Sequence, residues 1–166
     1  MKTYFISDTH FNHKNIIAYE NRPFNSISEM DTTMALNWNK TVDKNDTVFF
    51  LGDLSFNQDK DTLKALLRHL NGHKILIIGN HDRKYSAETW REIGFEEAYD
   101  YPIIYKDFFI LSHEPVYINT NMPYCNIHGH FHSNNNTLSN YVNVSVEQIN
   151  YTPISFEEIL RRISNE

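Results

Sequence analysis

The sequence predicts an α/β protein built from layers of sheet and helix. In its first half, short apolar runs typical of strands alternate with stretches of helical periodicity, and its second half is rich in strand-like runs. The chain has 166 residues, 40% of them hydrophobic and 14% aromatic, which is enough to bury one core. We therefore expect a single domain over residues 1–166.

Five apolar runs are predicted as strands, and each of them ends at a cluster of polar residues. The runs cover residues 3–6, 47–51, 75–78, 108–111 and 126–127. The first three are continuously apolar, which is typical of strands buried on both faces of a sheet. The polar stretch 133–136 is predicted as a surface loop.

Three helices are predicted from apolar residues at helical spacing, and we expect these stripes to face the core. The stripes are Met30, Met34 and Trp38; Leu63, Leu66, Leu67 and Leu70; and Phe156, Ile159, Leu160 and Ile163. Ser28 with Asp31 is the candidate cap of the first helix, and Asn71-Gly72 ends the second. The last helix begins with the capping box Ser155-x-x-Glu158.

The charge of the chain argues against one class of function. Its 21 acidic and 15 basic residues give a formal net charge of −6. A general nucleic-acid binder is net basic, so we do not expect binding to duplex nucleic acid. We expect Lys14 and Arg22 to be ordinary solvated charges.

The single cysteine and the hydropathy indicate where the protein works. Cys125 cannot form an internal disulfide, which suits the reducing cytoplasm, and we expect it to be a small core residue on a strand. No run approaches the ~20 apolar residues that a membrane-spanning helix needs. The sequence therefore predicts a cytoplasmic protein that is not associated with a membrane.

The most informative feature is the placement of nine histidines, which cluster beside Asp, Asn and Gly at the ends of the apolar runs. In sheets of this kind, ligands collect beyond the carboxyl ends of the strands, so we expect one shared site. The clusters are Ser7-Asp8-Thr9-His10, Gly52-Asp53, Gly79-Asn80-His81-Asp82, His113 and His128-Gly129-His130.

Each cluster has an ordinary structural explanation when it is taken alone. Asp8-x-His10 fits a capped turn, Gly52-Asp53 is a turn dipeptide, and a lone His113 is usually a satisfied histidine. Taken together, the carboxylate, imidazole and amide groups suit Zn, Mn or Fe. Two cations ~3.5–4 Å apart need a bridging carboxylate, which an aspartate after a glycine at the end of a buried strand can supply.

The order of these motifs resembles that of a known enzyme family. Asp-x-His, Gly-Asp, Gly-Asn-His-Asp, His and Gly-His-x-His follow one another as in the calcineurin-like metallophosphoesterase superfamily, from Asp8 to His130. Ser7-Asp8-Thr9-His10, followed by Asn21-Arg22-Pro23-Phe24, is similar to a group of short bacterial and phage phosphoesterases. The resemblance implies a four-layer αββα sandwich of two mixed sheets flanked by helices.

The resemblance also implies a role for each motif. By this resemblance, Asp8, His10 and His130 would hold the first metal ion, and Asn80, His113 and His128 would hold the second. Asp53 would bridge both metals, and His81 would act as the acid for the leaving group. The Gly-His-x-His motif is read as Ile127-His128-Gly129-His130, with its glycine between the two histidines.

Further residues are candidates for contact with the substrate. They are Asn12, His13, Arg83 and His132. For His13 the alternative is a surface or capping histidine, and for Arg83 it is a solvated charge. Several aromatic residues could stack on a base, with core packing as the alternative for most of them: Tyr105, Tyr117, Tyr124 and Phe131.

The implied function is that of a phosphoesterase with two divalent metal ions, Mn²⁺ first and Fe or Zn as alternatives. A hydroxide bridging the metals would attack the phosphorus, and His81 would protonate the leaving group. We expect a phosphodiesterase that acts on a small phosphoester, such as a nucleotide or a nucleic-acid end. The alternatives are a phosphomonoesterase or nucleotide phosphoanhydride hydrolase, and, from another class, a non-catalytic metal-binding interaction module. The oligomeric state is left open.

Overall fold

Two mixed β-sheets lie at the centre of the molecule, and helices flank them. The computed structural model describes residues 1–134 and 138–164. The strands in these residues are β1 (Thr3–Ile6), β2 (Thr47–Phe50), β3 (His73–Ile77), β4 (Glu97–Tyr99), β5 (Ile103–Tyr105), β6 (Phe109–Leu111), β7 (Cys125–His128), β8 (Tyr141–Asn143) and β9 (Ile154–Ser155). The helices are α1 (Lys14–Tyr19), α2 (Ile27–Thr41), α3 (Lys60–His69), α4 (Ala87–Ile93) and α5 (Phe156–Ser164), with one 3₁₀ turn at Val146–Gln148.

The pairing of the strands brings several carboxyl ends to one edge. The first sheet has the order β4-β3-β2-β1-β9, in which β1 to β4 are parallel and β9 is antiparallel to β1. The second sheet has the order β5-β6-β7-β8, in which β6, β7 and β8 are parallel. A parallel bridge between Ser7 and Ser145 joins the carboxyl end of β1 to that of β8. The loops after the parallel strands of both sheets therefore meet.

Aromatic side chains fill the space between the two sheets. Phe5 on β1 stacks on Phe49 on β2 with ring centroids 5.4 Å apart, and Phe49 contacts Tyr105 of the second sheet at 5.1 Å. The next residue of β2, Phe50, packs on the opposite face against Trp38 of α2. Both faces of β2 are thus buried, which explains why this strand is continuously apolar.

Most of the predicted elements are confirmed, with two differences. The five predicted strands correspond to β1, β2, β3, β6 and β7, and the capping box of the last helix is present, since Glu158 N–H donates to Ser155 Oγ. The first predicted helix begins earlier than expected, because Ser26 rather than Ser28 caps it by accepting from Glu29 N–H at 3.1 Å. Helices α1 and α4 and the short strands β4, β5, β8 and β9 were not predicted, since each is too short to show a clear period.

Three further expectations concern single segments. Cys125 is buried within β7, as predicted. In the predicted polar loop, Ser133 and Asn134 are exposed, whereas residues 135 and 136 lie outside the described part of the chain. Of the helices within residues 1–134 and 138–164, none combines the length and apolar character needed to cross a membrane.

Candidate metal centre

The polar clusters predicted from the sequence meet at the shared edge of the two sheets. Each follows the carboxyl end of a strand: Asp8 after β1, Asp53 after β2, Asn80 after β3, His113 after β6 and His130 after β7. Because β1, β2 and β3 are parallel, and β6 and β7 are parallel, these loops emerge on the same side. These residues therefore lie together at one edge of the molecule, where the sequence predicted a shared site.

One side of the centre is formed by Asp8, His10 and His132. One ligand atom from each of these residues lies within 4.8 Å of those of the other two. His132 Nε2 is 3.7 Å from Asp8 Oδ1, and the rings of His10 and His132 stack with centroids 5.2 Å apart. We call this the Asp8 side of the centre.

The other side is formed by Asn80, His113 and His130, and we call it the Asn80 side. His113 Nε2 lies 2.8 Å from Asn80 Oδ1, and His130 Nδ1 lies 3.1 Å from the same oxygen. The two ring nitrogens are 3.3 Å apart. Two imidazole nitrogens and an amide oxygen thus converge on a small volume, which is the arrangement that a divalent cation requires.

Asp53 stands between the two sides. Its Oδ2 is 3.5 Å from His10 Nε2 and 3.5 Å from His113 Nε2, while its Oδ1 accepts a hydrogen bond from His81 N–H at 2.9 Å. This carboxylate is therefore the one that can contact cations on both sides. The resulting arrangement matches the bridging position expected from the sequence.

The backbone around Asp53 is held by Asp82. The buried Asp82 carboxylate accepts hydrogen bonds from the N–H groups of Asp53 at 2.7 Å, Leu54 at 3.1 Å and Gly79 at 3.0 Å. A Cβ atom on Gly79 would overlap the Asp53 carboxylate, so a side chain at this position would displace it. The Gly-Asp and Gly-Asn-His-Asp motifs are thus one interlocked unit.

Several residues of the centre have a left-handed backbone. Asp8, His10, Asp53, His130 and His132 all have φ between 49° and 68°. For residues with a side chain this region costs about 1–3 kcal/mol each, so it persists only where the surroundings hold it. Such strain is typical of sites where side-chain direction matters more than stability.

The electrostatics of the centre disfavour the ionised forms of Asp53 and Asp82. Burial, and then the charge of Asp8, raises the pKa of Asp53 to about 7. Burial, and then the charge of Asp53, raises the pKa of Asp82 to about 7. Burial lowers the pKa of His10 to about 3, so this ring is neutral at pH 7, which is the state that binds a metal.

Buried polar atoms without a hydrogen-bond partner also fit a cation at the centre. They include Asp8 Oδ1 and His10 Nε2, and the same holds for His128 Nε2 within β7. Buried polar atoms are nearly always satisfied, so each unsatisfied one calls for an explanation such as an ion. Together with the oxygen and nitrogen donors around Asp53, these atoms fit a pair of divalent metal ions.

Behind the Asp8 side lies a buried ion pair that was not predicted. Arg22, expected to be a solvated charge, is only 4% exposed. Its guanidinium donates to the carbonyl oxygens of Asp8 at 2.7 Å and Thr9 at 2.8 Å, and through Nε to Glu147 at 2.9 Å. The expectation for Arg22 is wrong because its neighbours in the fold come from residues far along the chain.

Glu147 connects this ion pair to the centre. Its Oε1 also lies 3.2 Å from His132 Nδ1, so the carboxylate orients the ring and leaves Nε2 facing Asp8. The pKa of His132 is raised; burial acts to lower it, but the hydrogen bond to Glu147 and the charge of Asp8 outweigh that effect. A carboxylate behind a histidine in this way is common at metal sites.

The structure places the histidines at 128, 130 and 132 differently from the expectation. His130 lies with His113 and Asn80, although the sequence placed it with Asp8 and His10. The position beside Asp8 and His10 is taken by His132. His128 is fully buried in β7, with its ring against Phe131 and Tyr141 and its Nδ1 at 2.8 Å from its neighbour's carbonyl oxygen.

The reason for this difference can be read in the sequence. Gly129-His130-Phe131-His132 contains Gly-His-x-His without any departure, so the motif begins two residues later than it was read. A Cβ atom on Gly129 would overlap Ser7 Oγ and the Asp8 carboxylate, which explains the glycine immediately before His130. His132, expected only as a substrate contact, was therefore missed as a member of the centre.

The other candidate contacts lie around the rim. Asn12 is exposed, and its N–H donates to Asp31. The His13 ring is 5.6 Å from that of His10. Arg83 is exposed and forms an ion pair with Glu114 at 3.3 Å, so it is a surface charge close to His113.

The aromatic residues considered for stacking do not form a group at the centre. Tyr105 packs between the sheets, and Tyr117 is 82% exposed. Tyr124 is partly buried, whereas Phe131 lies beside the rings of His128 and His130. Core packing is thus confirmed for Tyr105.

Comparison with known proteins agrees with the geometry. The sequence profile described as calcineurin-like phosphoesterase matches residues 1–164. An uncharacterized protein of Methanocaldococcus jannaschii is 43% identical over 171 residues, which cover 98% of this chain and 91% of that protein. The gene 66 protein of Mycobacterium phage L5 is 40% identical over 82 residues, or 48% of this chain and 39% of that protein. The crystal structure of a protein of unknown function from Aquifex aeolicus is similar with a TM-score of 0.74 and 29% identity, covering 96% of this chain and 98% of that one.

Proposed function

The chain belongs to the calcineurin-like phosphoesterase family, and we propose that it is a two-metal hydrolase of small phosphodiesters. The observation that carries this proposal is the position of Asp53, whose Oδ2 lies 3.5 Å from a histidine of each side of the centre. A single carboxylate shared by two sets of metal ligands is the arrangement expected of a two-metal site.

The proposed ligand sets follow the geometry of the centre. Asp8, His10, Asp53 and His132 would hold one cation, and Asp53, Asn80, His113 and His130 would hold the other. In this proposal His130 moves from the first cation to the second, His132 takes its place beside Asp8 and His10, and His128 is not a ligand. Mn²⁺ is the proposed metal, with Fe or Zn as alternatives, since the nitrogen and oxygen donors suit all three.

Divalent cations bound at these ligands would supply a nucleophile at neutral pH and stabilise negative charge on the phosphate oxygens. Residues behind the proposed ligands would hold those ligands in position. Asp82, through its three backbone hydrogen bonds, holds Asp53 in position, and Glu147 holds His132. The pre-formed centre would then bind the phosphate in one orientation.

His81 is the proposed acid for the leaving group. The backbone N–H of His81 donates to Asp53 Oδ1. Its ring is exposed and lies 5.3 Å from the His10 ring, so the ring can contact an oxygen of a bound phosphate. Burial, and then the nearby His113, lowers the pKa of His81 in the absence of substrate. The negative charge of a bound phosphate acts in the opposite direction and favours the protonated ring that an acid needs.

The preference for diesters rests on His81. An alkoxide is a poor leaving group, so diester hydrolysis gains from a proton donor beside the leaving oxygen. A small substrate, such as a nucleotide or a nucleic-acid end, is also favoured by the net charge of −6, which repels a long polyanion.

The test compares bis-p-nitrophenyl phosphate with p-nitrophenyl phosphate, using protein stripped of metal and refilled with Mn²⁺. We expect faster turnover of the diester, and a loss of about 10²–10⁴-fold in His81→Ala with the metal content unchanged. His69→Ala, which removes an exposed histidine of α3, is the matched control and should retain full activity.

Three outcomes would contradict parts of the proposal. Faster turnover of the monoester would identify a phosphomonoesterase. Loss of metal together with activity in His81→Ala would make His81 a metal ligand. Two bound metal ions without hydrolysis of either compound would favour a non-catalytic metal-binding module.

A further inference from the structure

A series of aromatic rings leads from the candidate metal centre to the protein surface. The His13 ring lies 5.6 Å from that of His10 and stacks on Phe56, with centroids 4.4 Å apart and 12° between the planes. Tyr19 meets the edge of the His13 ring at 6.2 Å. Phe56 is 62% exposed and Tyr19 is 71% exposed. We call His13, Tyr19 and Phe56 the aromatic wall.

The backbone beneath the wall is fixed to the segment that carries the centre. Phe56 N–H donates to the carbonyl oxygen of Phe11 at 2.9 Å, and Ser55 Oγ donates to the same oxygen. His13 N–H donates to the carbonyl oxygen of His10 at 3.1 Å. The wall therefore keeps its position relative to His10 and Asp8, as a substrate-binding surface must.

The exposure of these rings has no explanation in the folding of the chain. Burying a phenylalanine side chain is favourable. Phe11, two residues before His13, is only 2% exposed, whereas Phe56 is in contact with solvent. Two exposed rings are also too small a surface for a stable protein partner, which requires about 800 Å² from each side. A small planar group is the occupant whose size matches this surface.

We propose that the aromatic wall binds the planar aromatic group of the substrate by stacking while the phosphate lies at the metal centre. The inference rests on the proposed function and names the substrate class, a phosphoester with a nucleobase or another aryl group close to the phosphate. Stacking suits this surface because an aromatic face accepts any planar ring without hydrogen bonds. The His13 ring contacts those of both His10 and Phe56, so the wall begins directly beside the centre, where the phosphate would lie.

The experiment measures binding rather than turnover, with ligands that the enzyme does not hydrolyse. Phenylphosphonate and methylphosphonate are titrated into the Mn²⁺-loaded protein by calorimetry. We expect the phenyl compound to bind about 5-fold more tightly or better, which is the lower end of what stacking on one ring contributes. Phe56→Ala should remove this preference, and Phe56→Tyr should retain it.

A matched control separates the wall from exposed aromatic surface in general. Phe108 is 41% exposed and lies at the amino end of β6, the end opposite to His113. Phe108→Ala should leave the preference for the phenyl compound unchanged. A third ligand, adenosine 5′-O-thiomonophosphate, should bind more tightly than phenylphosphonate where the wall selects a nucleobase, and no more tightly where it accepts any aryl group.

The outcomes distinguish failure of this inference from failure of the proposed function. Equal affinity of the wild-type protein for both phosphonates, with p-nitrophenyl esters still hydrolysed, would overturn the wall and leave the phosphoesterase standing. An unchanged phenyl preference in Phe56→Ala would do the same. Absence of binding and of hydrolysis would overturn both.

Discussion

The two sides of the candidate metal centre are held in different ways. The Asp8 side is supported by buried charges, because the ion pair of Arg22 with Glu147 contacts both the Asp8 backbone and the His132 ring. On the Asn80 side the His113 ring is held by a neutral group, since its Nδ1 lies 2.7 Å from the carbonyl oxygen of Leu51, and the His130 backbone N–H contacts a charge, the Asp8 carboxylate, at 2.9 Å. One half of the site therefore depends on the balance of buried charge and the other on the geometry of peptide groups.

This difference explains how far each side can tolerate change. A neutral hydrogen bond contributes about 0.5–1.5 kcal/mol, and its loss is local. A buried ion pair that loses one partner leaves an uncompensated charge, which destabilises the protein by about 3–5 kcal/mol. Substitutions behind the Asp8 side should therefore affect the whole fold, and those on the Asn80 side should affect mainly its cation.

The largest effect is expected at Asp53, which the two sides share. Asp53→Asn removes the bridging charge, so we expect the bound metal to decrease on both sides and turnover to fall by about 10³-fold. Plasma emission analysis of metal content, together with hydrolysis of bis-p-nitrophenyl phosphate, provides the measurement. Asp107→Asn, at an exposed turn, is the control, and two full metal equivalents in Asp53→Asn would refute the bridging role.

The next effect tests the buried charges behind the Asp8 side. Arg22→Met should lower the free energy of unfolding by about 3–5 kcal/mol, because the buried Glu147 carboxylate would lose its permanently charged partner and keep only the His132 ring. In the double variant Arg22→Met with Glu147→Leu, most of that loss should be recovered. Urea denaturation of the metal-free proteins measures both.

The control for this prediction is an exposed ion pair of similar chemistry. Arg161 pairs with Glu158 on the surface of α5 at 2.8 Å, and Arg161→Met should cost less than about 1 kcal/mol. If Arg22→Met lowered the free energy of unfolding by no more than Arg161→Met does, the buried pair would not contribute the stability assigned to it.

A third prediction separates the two sides by their histidines. His132→Asn should weaken the cation of the Asp8 side, and His130→Asn that of the Asn80 side, by about 10–100-fold or more, while the other cation is retained. Calorimetric titration with Mn²⁺ resolves the two binding events. Loss of the Asn80-side cation in His128→Asn, with that cation kept in His130→Asn, would restore the assignment first read from the sequence.

The smallest expected effect is a dependence of metal binding on pH. The pKa of Asp53 is raised to about 7 in the metal-free protein, so below that pH a cation must displace its proton, whereas His10, with a pKa of about 3, is already neutral. Affinity for Mn²⁺ should thus rise at least tenfold per pH unit up to about pH 7, because His132, whose pKa is also raised, must lose a proton as well. Titrations in buffers of different ionisation enthalpy would reveal the released proton; an affinity that is flat from pH 5 to 7 would contradict it.

Sequence patterns were most reliable where a residue's environment depends on its neighbours in the chain. The strand ends carrying Asp8, Asp53, Asn80 and His113 were found because each motif directly follows an apolar run. The Gly-His-x-His motif was misplaced for a different reason. Histidines stand on both sides of Gly129, so the motif could be aligned with residues 127–130 or with residues 129–132, and only the second alignment contains the complete motif.

The sequence by itself determined the strands, the polar loops after them and the chemical types of the candidate ligands, because strand formation and turns are governed by local pattern. The tertiary structure alone decided three things: which histidine faces which side, the burial of Arg22, and the exposure of Phe56 beside His13. These depend on contacts between residues more than 40 or even 100 positions apart, such as Arg22 with Glu147. The physical reason is that the burial and direction of a side chain are set by what packs against it.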